Sequence, residues 1–556
     1  MTITGKQSVR QSIFLALQGG GAKGVVHVGG IIAINNLDLD IKGIAGTSAG
    51  SMVAALVAAG YRGEDLINPK TKNHIFRTVA PKHGFHKATD LFTRNGWMIL
   101  KFIRYFTRPK PKPVNTRRKA FDIKRFFMIA GILGFLYGMY NFPIATAVVI
   151  LSALAFCGYK ILGGITSVEN VRTLIDGALS EKCRPGFKNV TFSDLADAGG
   201  LPLKIIATNT FGECLELFCL ERTPDVVIAD AVAASICLPI IFRPWRFSFL
   251  RETEHHTQVV EGSFVDGGLM SNLPAWPFDE ERLLYPEATT VALGIRTAVD
   301  ERFSADKHWL PSVINAIVSG TGEIHTRAVG KIIKIPIITK LGMLDFDADI
   351  QKIYQEVDLA EVAVTTQLQQ ELIENPRLMR EATKKISDGC YAILKEFEGK
   401  WYRPSGDDKL RVALGVQRAG ATQSISLAFS EGYDSSHPDN SITLPLHGSI
   451  AGDAWAKSSV IAAKIRELPP ERIHANDRIW ADIQWVLCIP LRYKGSKKVK
   501  VRPLVVLIDW SIPIDETLPE AKAEFEKFMR RVVESVVVYT DDLKIREIVQ
   551  GANSWI

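Results

Sequence analysis

An α/β fold with a mostly parallel sheet is predicted for the larger N-terminal part of this 556-residue chain, followed by a smaller α+β unit. Three observations predict it. Short apolar runs alternate with helically spaced segments from residue 12 onward. Two glycine-rich turns fall where a strand hands over to a helix. The chain is also too long for a single core, so two or three domains are expected. An apolar fraction of 47% and a charged fraction of 23% fit folded domains rather than disorder.

The elements follow in order. "SIFLAL" (12–17) reads as a buried strand. It runs into Gln18-Gly19-Gly20-Gly21-Ala22-Lys23-Gly24, and "VVHVGGIIAINNL" continues with helical spacing. Consecutive glycines let backbone N–H groups approach an anion, and the following helix adds its positive end. The loop lacks the G-x-x-x-x-G-K-[ST] spacing of a phosphate loop and is not G-x-G-x-x-G. An oxyanion hole is the other use of such groups. "GIAGTSAGS" (43–51) calls for one, because Gly46-Thr47-Ser48-Ala49-Gly50 is the G-x-S-x-G of a nucleophile elbow. "SMVAALVAAGY" then continues as a helix whose small residues allow its N-terminus to lie close beneath Ser48.

A serine nucleophile needs a base, usually a histidine held by a carboxylate. None of the eleven histidines is marked by its surroundings. His27 reads as a packing residue behind the glycine loop, and His255-His256 as part of a polar loop. In "SFVDGGLMSNLPAWPF" (263–278), Asp266 ends an apolar strand and precedes Gly267-Gly268. A carboxylate there can reach an elbow serine; the plainer reading is the start of a β-turn.

Taken together, the G-G-G-x-[RK]-G loop from Gly19 to Gly24, the elbow from Gly46 to Gly50 and the D-G-G of Asp266 to Gly268 resemble the patatin-like phospholipase family. "FSDLADAGGLPLKIIATNT" and "PDVVIADAVAASICLPIIFRPW" resemble that family between its motifs, and the likeness spans residues 10–370 apart from one insertion. Lys23 stands where arginine is commoner and keeps the charge. The resemblance implies a three-layer sandwich and a Ser–Asp dyad without histidine. Ser48 would attack the ester carbonyl and Asp266 would be the general base. Gly19, Gly20, Gly21, Lys23 and Gly24 would form the oxyanion loop, Gly46 and Gly50 would shape the elbow, and Gly267 and Gly268 would complete the aspartate motif. The substrate implied is a membrane glycerophospholipid, with no cofactor and no metal. Two alternatives stay open: a Ser–Asp–His esterase or thioesterase using His308 or His325, and an inactive scaffold that keeps the fold.

The insertion (95–165) has two parts. Lys101 to Arg125 holds ten basic residues against the single acid Asp122, a local charge of +9 that leaves the rest of the chain at −2. Such local basicity points to an anionic lipid surface rather than to a nucleic-acid polymer. Phe126 to Tyr159 follows, 34 residues without a charge, broken at Asn141-Phe142-Pro143. If Ser48 and Asp266 are to meet, both ends of the insertion lie in one compartment, so a helical hairpin is expected, either two short spans or a re-entrant wedge. Its halves, at about 1.5 Å per residue, fall short of a hydrocarbon core of about 30 Å. Flanking basic residues place both catalytic and C-terminal parts on the cytoplasmic side of the membrane. A buried core hairpin is the plainer reading. The N-terminus shows no signal peptide, and seven scattered cysteines without C-x-x-C fit a reducing compartment.

Residues 1–375 are expected to form the hydrolase domain and 376–556 a second unit. The latter offers an amphipathic helix at 377–397, strands in "KLRVALGVQ", "SITLPL", "DIQWVLCIPLRY" and "RPLVVLIDW", and a closing helix from Ala521 to Val537. This order resembles a GAF-type sensor domain, which implies either a small-molecule or nucleotide ligand near Gly448 to Trp455, or homo-oligomerisation.

Overall fold

The computed structural model describes residues 10–107, 163–253, 256–298, 329, 331–417, 423–432, 442–467, 483–492 and 502–551, with a few single positions between 137 and 152. An eight-stranded sheet organises the first part. Its order is Ile332–Thr339, Thr289–Thr297, Ser12–Leu17, Asp40–Thr47, Leu203–Asn209, Thr257–Asp266 and Trp245–Glu252, with Cys214–Phe218 also paired to Leu203–Asn209. The first five run parallel and the rest antiparallel. The sheet is therefore mixed, where a mostly parallel one is expected from the sequence. The cause is local: two hairpins, Leu203–Asn209 with Cys214–Phe218 and Trp245–Glu252 with Thr257–Asp266, return without a crossover helix.

Ser12–Leu17 is buried on both faces, as a central parallel strand must be. Ile13, Leu15 and Leu17 point into the main core with helices His27–Asn36, Ala49–Ala58, Glu169–Cys183, Ile228–Ser235 and Ile350–Leu368. Phe14 and Ala16 point the other way. Among the described residues that second face is covered by the segment following Asp266, through Leu273, Ala275 and Phe278, rather than by a layer of long helices. Phe278 stacks on Phe14 with ring centroids 4.9 Å apart.

The second unit is a six-stranded antiparallel sheet, ordered Thr443–Pro445, Ser424–Glu431, Leu410–Val416, Leu504–Trp510, Trp485–Pro490, Ile461–Lys464. Strand alternation divides its residues. Val412, Leu414, Val506 and Ile508 meet helices Asn375–Glu396 and Ala521–Asp542, whereas Ala413, Val505 and Leu507 meet the short helix Ile450–Lys457. Ser449 caps that helix, its hydroxyl accepting the Gly452 N–H at 3.0 Å. Trp455, in the stretch where the resemblance implies a ligand, is buried, and the Arg492 guanidinium lies 4.6 Å from its ring centroid.

The two parts are joined by continuous helix. Ile350–Leu368 passes into a π-helical turn, Gln369–Glu374, and on into Asn375–Glu396. Leu372 still packs in the first core and Met379 already packs in the second. The hairpin expected at 126–159, and the basic stretch beyond Thr107, fall almost entirely outside the described residues. Among the described residues no helix is long and apolar enough to cross a membrane.

Candidate active site

Two glycines make the elbow. A Cβ on Gly46 would stand 2.5 Å from the Gly50 carbonyl oxygen, and one on Gly50 would stand 2.4 Å from that of Leu17. Strand Asp40–Thr47 can therefore turn into helix Ala49–Ala58 only with both side chains absent. Ser48 sits at the corner with φ +52° and ψ −127°, a backbone that a non-glycine residue holds only under strain. The turn aims its hydroxyl out of the helix while the helix N-terminus stays beneath it.

Asp266 is brought opposite by strand register. Thr47 pairs with Ile206, and Ala207 pairs with Asp266, so nucleophile and carboxylate lie at one level across a single intervening strand. The Ser48 hydroxyl donates to Asp266 Oδ2 at 2.6 Å. Asp266 Oδ1 accepts the Gly268 N–H at 2.7 Å. A Cβ on Gly267 would meet the Ile206 carbonyl oxygen at 2.1 Å, which is why the chain can turn there so close to the sheet. Both residues are nearly buried. Burial pushes the Asp266 carboxyl from 3.8 up to about 6, against the opposing pull of the Ser48 and Gly268 hydrogen bonds.

The glycine loop divides its N–H groups. That of Gly19 donates to the Asn272 carbonyl at 3.1 Å, that of Ala22 to the Met343 carbonyl at 2.8 Å, and that of Lys23 back to Gly20. Those of Gly20 and Gly21 have no partner among the described residues, and both glycines line the cleft with Ser48. Lys23 turns its amine toward the Thr297 hydroxyl at 3.3 Å, and burial lowers its pKa. Gly24 allows close packing, since a Cβ there would stand 2.5 Å from that of Ala49. Of the five loop residues named from the sequence, Gly20 and Gly21 are thus the ones with donors to give.

His27 is fully buried, and its Nε2–H donates to the Gln18 carbonyl at 2.7 Å. Burial lowers its pKa to about 4, so it is neutral. Because a trans peptide points C=O and N–H in opposite directions, fixing the Gln18 carbonyl also fixes the Gly19 N–H toward Asn272. His308 and His325 lie outside the described residues.

One residue escapes the sequence reading. Ser235, fully buried, accepts the Ser48 backbone N–H at 2.8 Å and donates to the Ile206 carbonyl at 2.6 Å. It ties the strained corner to the strand that also positions Asp266. The available signal was a lone hydroxyl at the end of the helix "IADAVAAS", whose one other polar residue is Asp230.

Above Ser48 lies an apolar cleft that is partly open to solvent. Its walls include Met52, Phe92, Ile236, Phe242, Leu269 and Phe346, and Ser48 and Asp266 lie at its floor. Space of this character suits a hydrocarbon chain, with the reacting carbonyl at the polar end.

Residues 15–279 match the patatin-like phospholipase family model. Solved structures similar to the chain include VipD from Legionella pneumophila, at 18% identity over 64% of this chain and 66% of that one, with a TM-score of 0.31. Another is ExoU, a type III effector of Pseudomonas aeruginosa, at 16% identity over 69% and 60% respectively and a TM-score of 0.26. The GAF domain of a two-component sensor histidine kinase from Bacillus halodurans is similar to 27% of this chain and covers 92% of its own, at 16% identity and a TM-score of 0.18. The chain spans just under two thirds of the length of VipD and less of ExoU. No curated protein sequence matches it.

Proposed function

With a patatin-like phospholipase domain as the premise, we propose that this chain is a lipid acyl hydrolase that works through Ser48 and Asp266. The observation that carries this reading is the 2.6 Å hydrogen bond between them at the floor of an apolar cleft. Ser48 Oγ attacks the ester carbonyl carbon while Asp266 Oδ2 takes its proton. The N–H groups of Gly20 and Gly21 receive the developing oxyanion. The tetrahedral centre collapses to an acyl-Ser48, and the alcohol portion of the lipid leaves with the proton from Asp266. Water, deprotonated by Asp266, then releases the fatty acid and restores Ser48. The helix N-terminus beneath Ser48 favours the anionic transition state.

The finer parts of the reading concern place and control. The uncharged run 126–159 anchors the chain in a membrane, with the basic stretch before it on the anionic cytoplasmic leaflet. Residues 376–556 act as a GAF-like unit that gates the hydrolase domain, 1–375, through ligand binding or self-association. Continuous helix across the joint supports this, since a stiff connection passes a rearrangement that a flexible tether would absorb.

Expression of wild type beside Ser48→Ala, followed by lipid mass spectrometry, tests the activity. Free fatty acid and lysolipid should accumulate with wild type alone; equal lipid profiles would overturn it. Gating is tested by measuring hydrolysis by the full chain across protein concentration and with added nucleotides, where a rate indifferent to both would remove that part of the proposal.

A further inference from the structure

We propose that the outer rim of the cleft, formed by helix Arg94–Thr107 and the loop at Ile240, is the surface that docks on an anionic phospholipid bilayer. The acyl chain then reaches Ser48 by passing beneath that helix. The proposal rests on the reading of the chain as a lipid acyl hydrolase.

The helix has two apolar sides with different fates. Toward the protein, Trp97, Leu100 and Lys101 line a small cavity together with Leu344 and Phe346. Those last two residues also line the cleft over Ser48. Phe92, just before the helix, packs on Phe346 with ring centroids 4.8 Å apart and stacks on Phe242 at 5.6 Å. An apolar path therefore leads from the catalytic floor to the underside of the helix. Toward solvent, Met98 is 57% and Phe102 65% exposed, with Ile99 beside them at 38%.

The opposite lip has the same character. Leu238, Ile241 and Phe242 line the cleft, while Ile240 between them is 47% exposed and held at φ +75°. That backbone disfavours a β-branched side chain, yet it turns an isoleucine outward at the cleft mouth. The two lips are stitched together where the insertion begins and ends. The hydroxyls of Thr93 and Thr166 lie 3.0 Å apart, and the Ile165 N–H donates to the Ile240 carbonyl at 3.1 Å. The described chain before and after the insertion thus meets at this rim.

Charge selects the occupant. Helix Arg94–Thr107 presents Arg94 and Lys101 and contains no acid. Two copies of this chain placed rim to rim would set cation against cation, whereas an anionic leaflet attracts the same residues and accepts Met98, Ile99 and Ile240 into its interface. A bilayer is also the partner that gains from continuity with an acyl-sized cleft.

The test uses the full-length protein with Met98→Glu, Ile240→Asp and the pair combined. Aspartate tolerates positive φ better than isoleucine, so Ile240→Asp charges the rim without straining the fold. Two substrates are compared: phosphatidylcholine vesicles with and without phosphatidylglycerol, and a short-chain ester kept monomeric in solution. Hydrolysis in the anionic vesicles should fall at least ~10-fold in the double variant, a factor equivalent to about 1.4 kcal/mol, while the soluble ester is cleaved at the wild-type rate. Because the uncharged run can hold the chain on vesicles by itself, docking of the rim is read locally: in a Ser48→Ala background, hydroxyl-radical oxidation of the exposed Phe102 should fall when anionic vesicles are added to the parent and stay unchanged in the double variant. Equal activity losses on both substrates, or equal shielding of Phe102 in parent and double variant, would overturn the proposal. A light-scattering change from dimer to monomer in the variants would instead assign the rim to a second copy. If wild type cleaves neither substrate but anionic vesicles still shield Phe102, the catalytic reading fails and the docking surface stands.

Discussion

Replacing Asp266 by asparagine should destroy activity and make the protein more stable, by an amount that depends on pH. In the folded chain burial holds this carboxyl at about 6 rather than 3.8. Ionising it near neutral pH therefore costs the fold ~3 kcal/mol relative to the unfolded chain. A carboxyl with a raised pKa binds its proton more tightly when folded. Its stabilising contribution is full below 3.8 and is lost as pH rises through about 6. Asparagine has no charge to bury, can still accept the Gly268 N–H, and presents an amide to the Ser48 hydroxyl. Denaturant unfolding should show Asp266→Asn ahead of wild type by up to ~3 kcal/mol at about pH 8, with the gap closing toward about pH 4. A variant less stable than wild type at the higher pH, or an advantage that acid leaves unchanged, would refute the assignment of a desolvated, ionisable base. Gain of stability with loss of turnover is the trade expected where a site is strained for function.

The same carboxyl predicts that ester hydrolysis falls about tenfold per pH unit below about 6, since the base must be ionised; a flat acid limb down to about pH 4 would exclude it. Gly21→Ala forces a side chain onto φ +56° and to within 2.5 Å of the Met343 carbonyl oxygen. It should cost ~10²–10³ in kcat, as loss of an oxyanion donor does, with circular dichroism unchanged. Ser235→Ala leaves the Ser48 N–H buried without its acceptor, so stability should drop by about 1–3 kcal/mol and kcat should fall while KM holds, measured on a soluble ester. Trp401→Ala empties a fully buried site in the second unit and should cost about 3–5 kcal/mol, seen in an unfolding transition that hydrolase activity does not follow.

The parts of the fold that sequence made legible are those where one local rule dominates. Ser12–Leu17 is apolar at every position after its serine because both faces are covered. Gly21 of the loop and Gly46 and Gly50 of the elbow are placed where a Cβ would strike backbone within 2.6 Å. Strands Ser424–Glu431 and Ile461–Lys464 went unread. The first mixes serine and glutamate with its apolar residues, and the second is a four-residue edge with little burial. The antiparallel half of the sheet was equally hidden, since an apolar run looks the same in either direction. Ser235 could not be singled out because its role depends on two backbone groups, at Ser48 and Ile206, far from it in sequence. The sharing of donors within the glycine loop was likewise invisible. It depends on Asn272 and Met343 arriving from other parts of the chain.

The helical joint between the two units makes their mutual orientation a matter of residue count. A helix advances about 100° and 1.5 Å with each residue, and a π turn holds one residue more than the α-helix it interrupts. Removing a single residue from Gln369–Glu374 would therefore twist everything downstream by more than a quarter turn. The upstream end of the same helix is not free to absorb that twist. Gly29, on the helix that leaves the glycine loop, has its α-carbon pressed so close to the Val357 carbonyl that a methyl group would stand 2.2 Å from the oxygen. The upstream end of the joint is thus pressed, backbone to backbone, against the helix that follows the glycine loop.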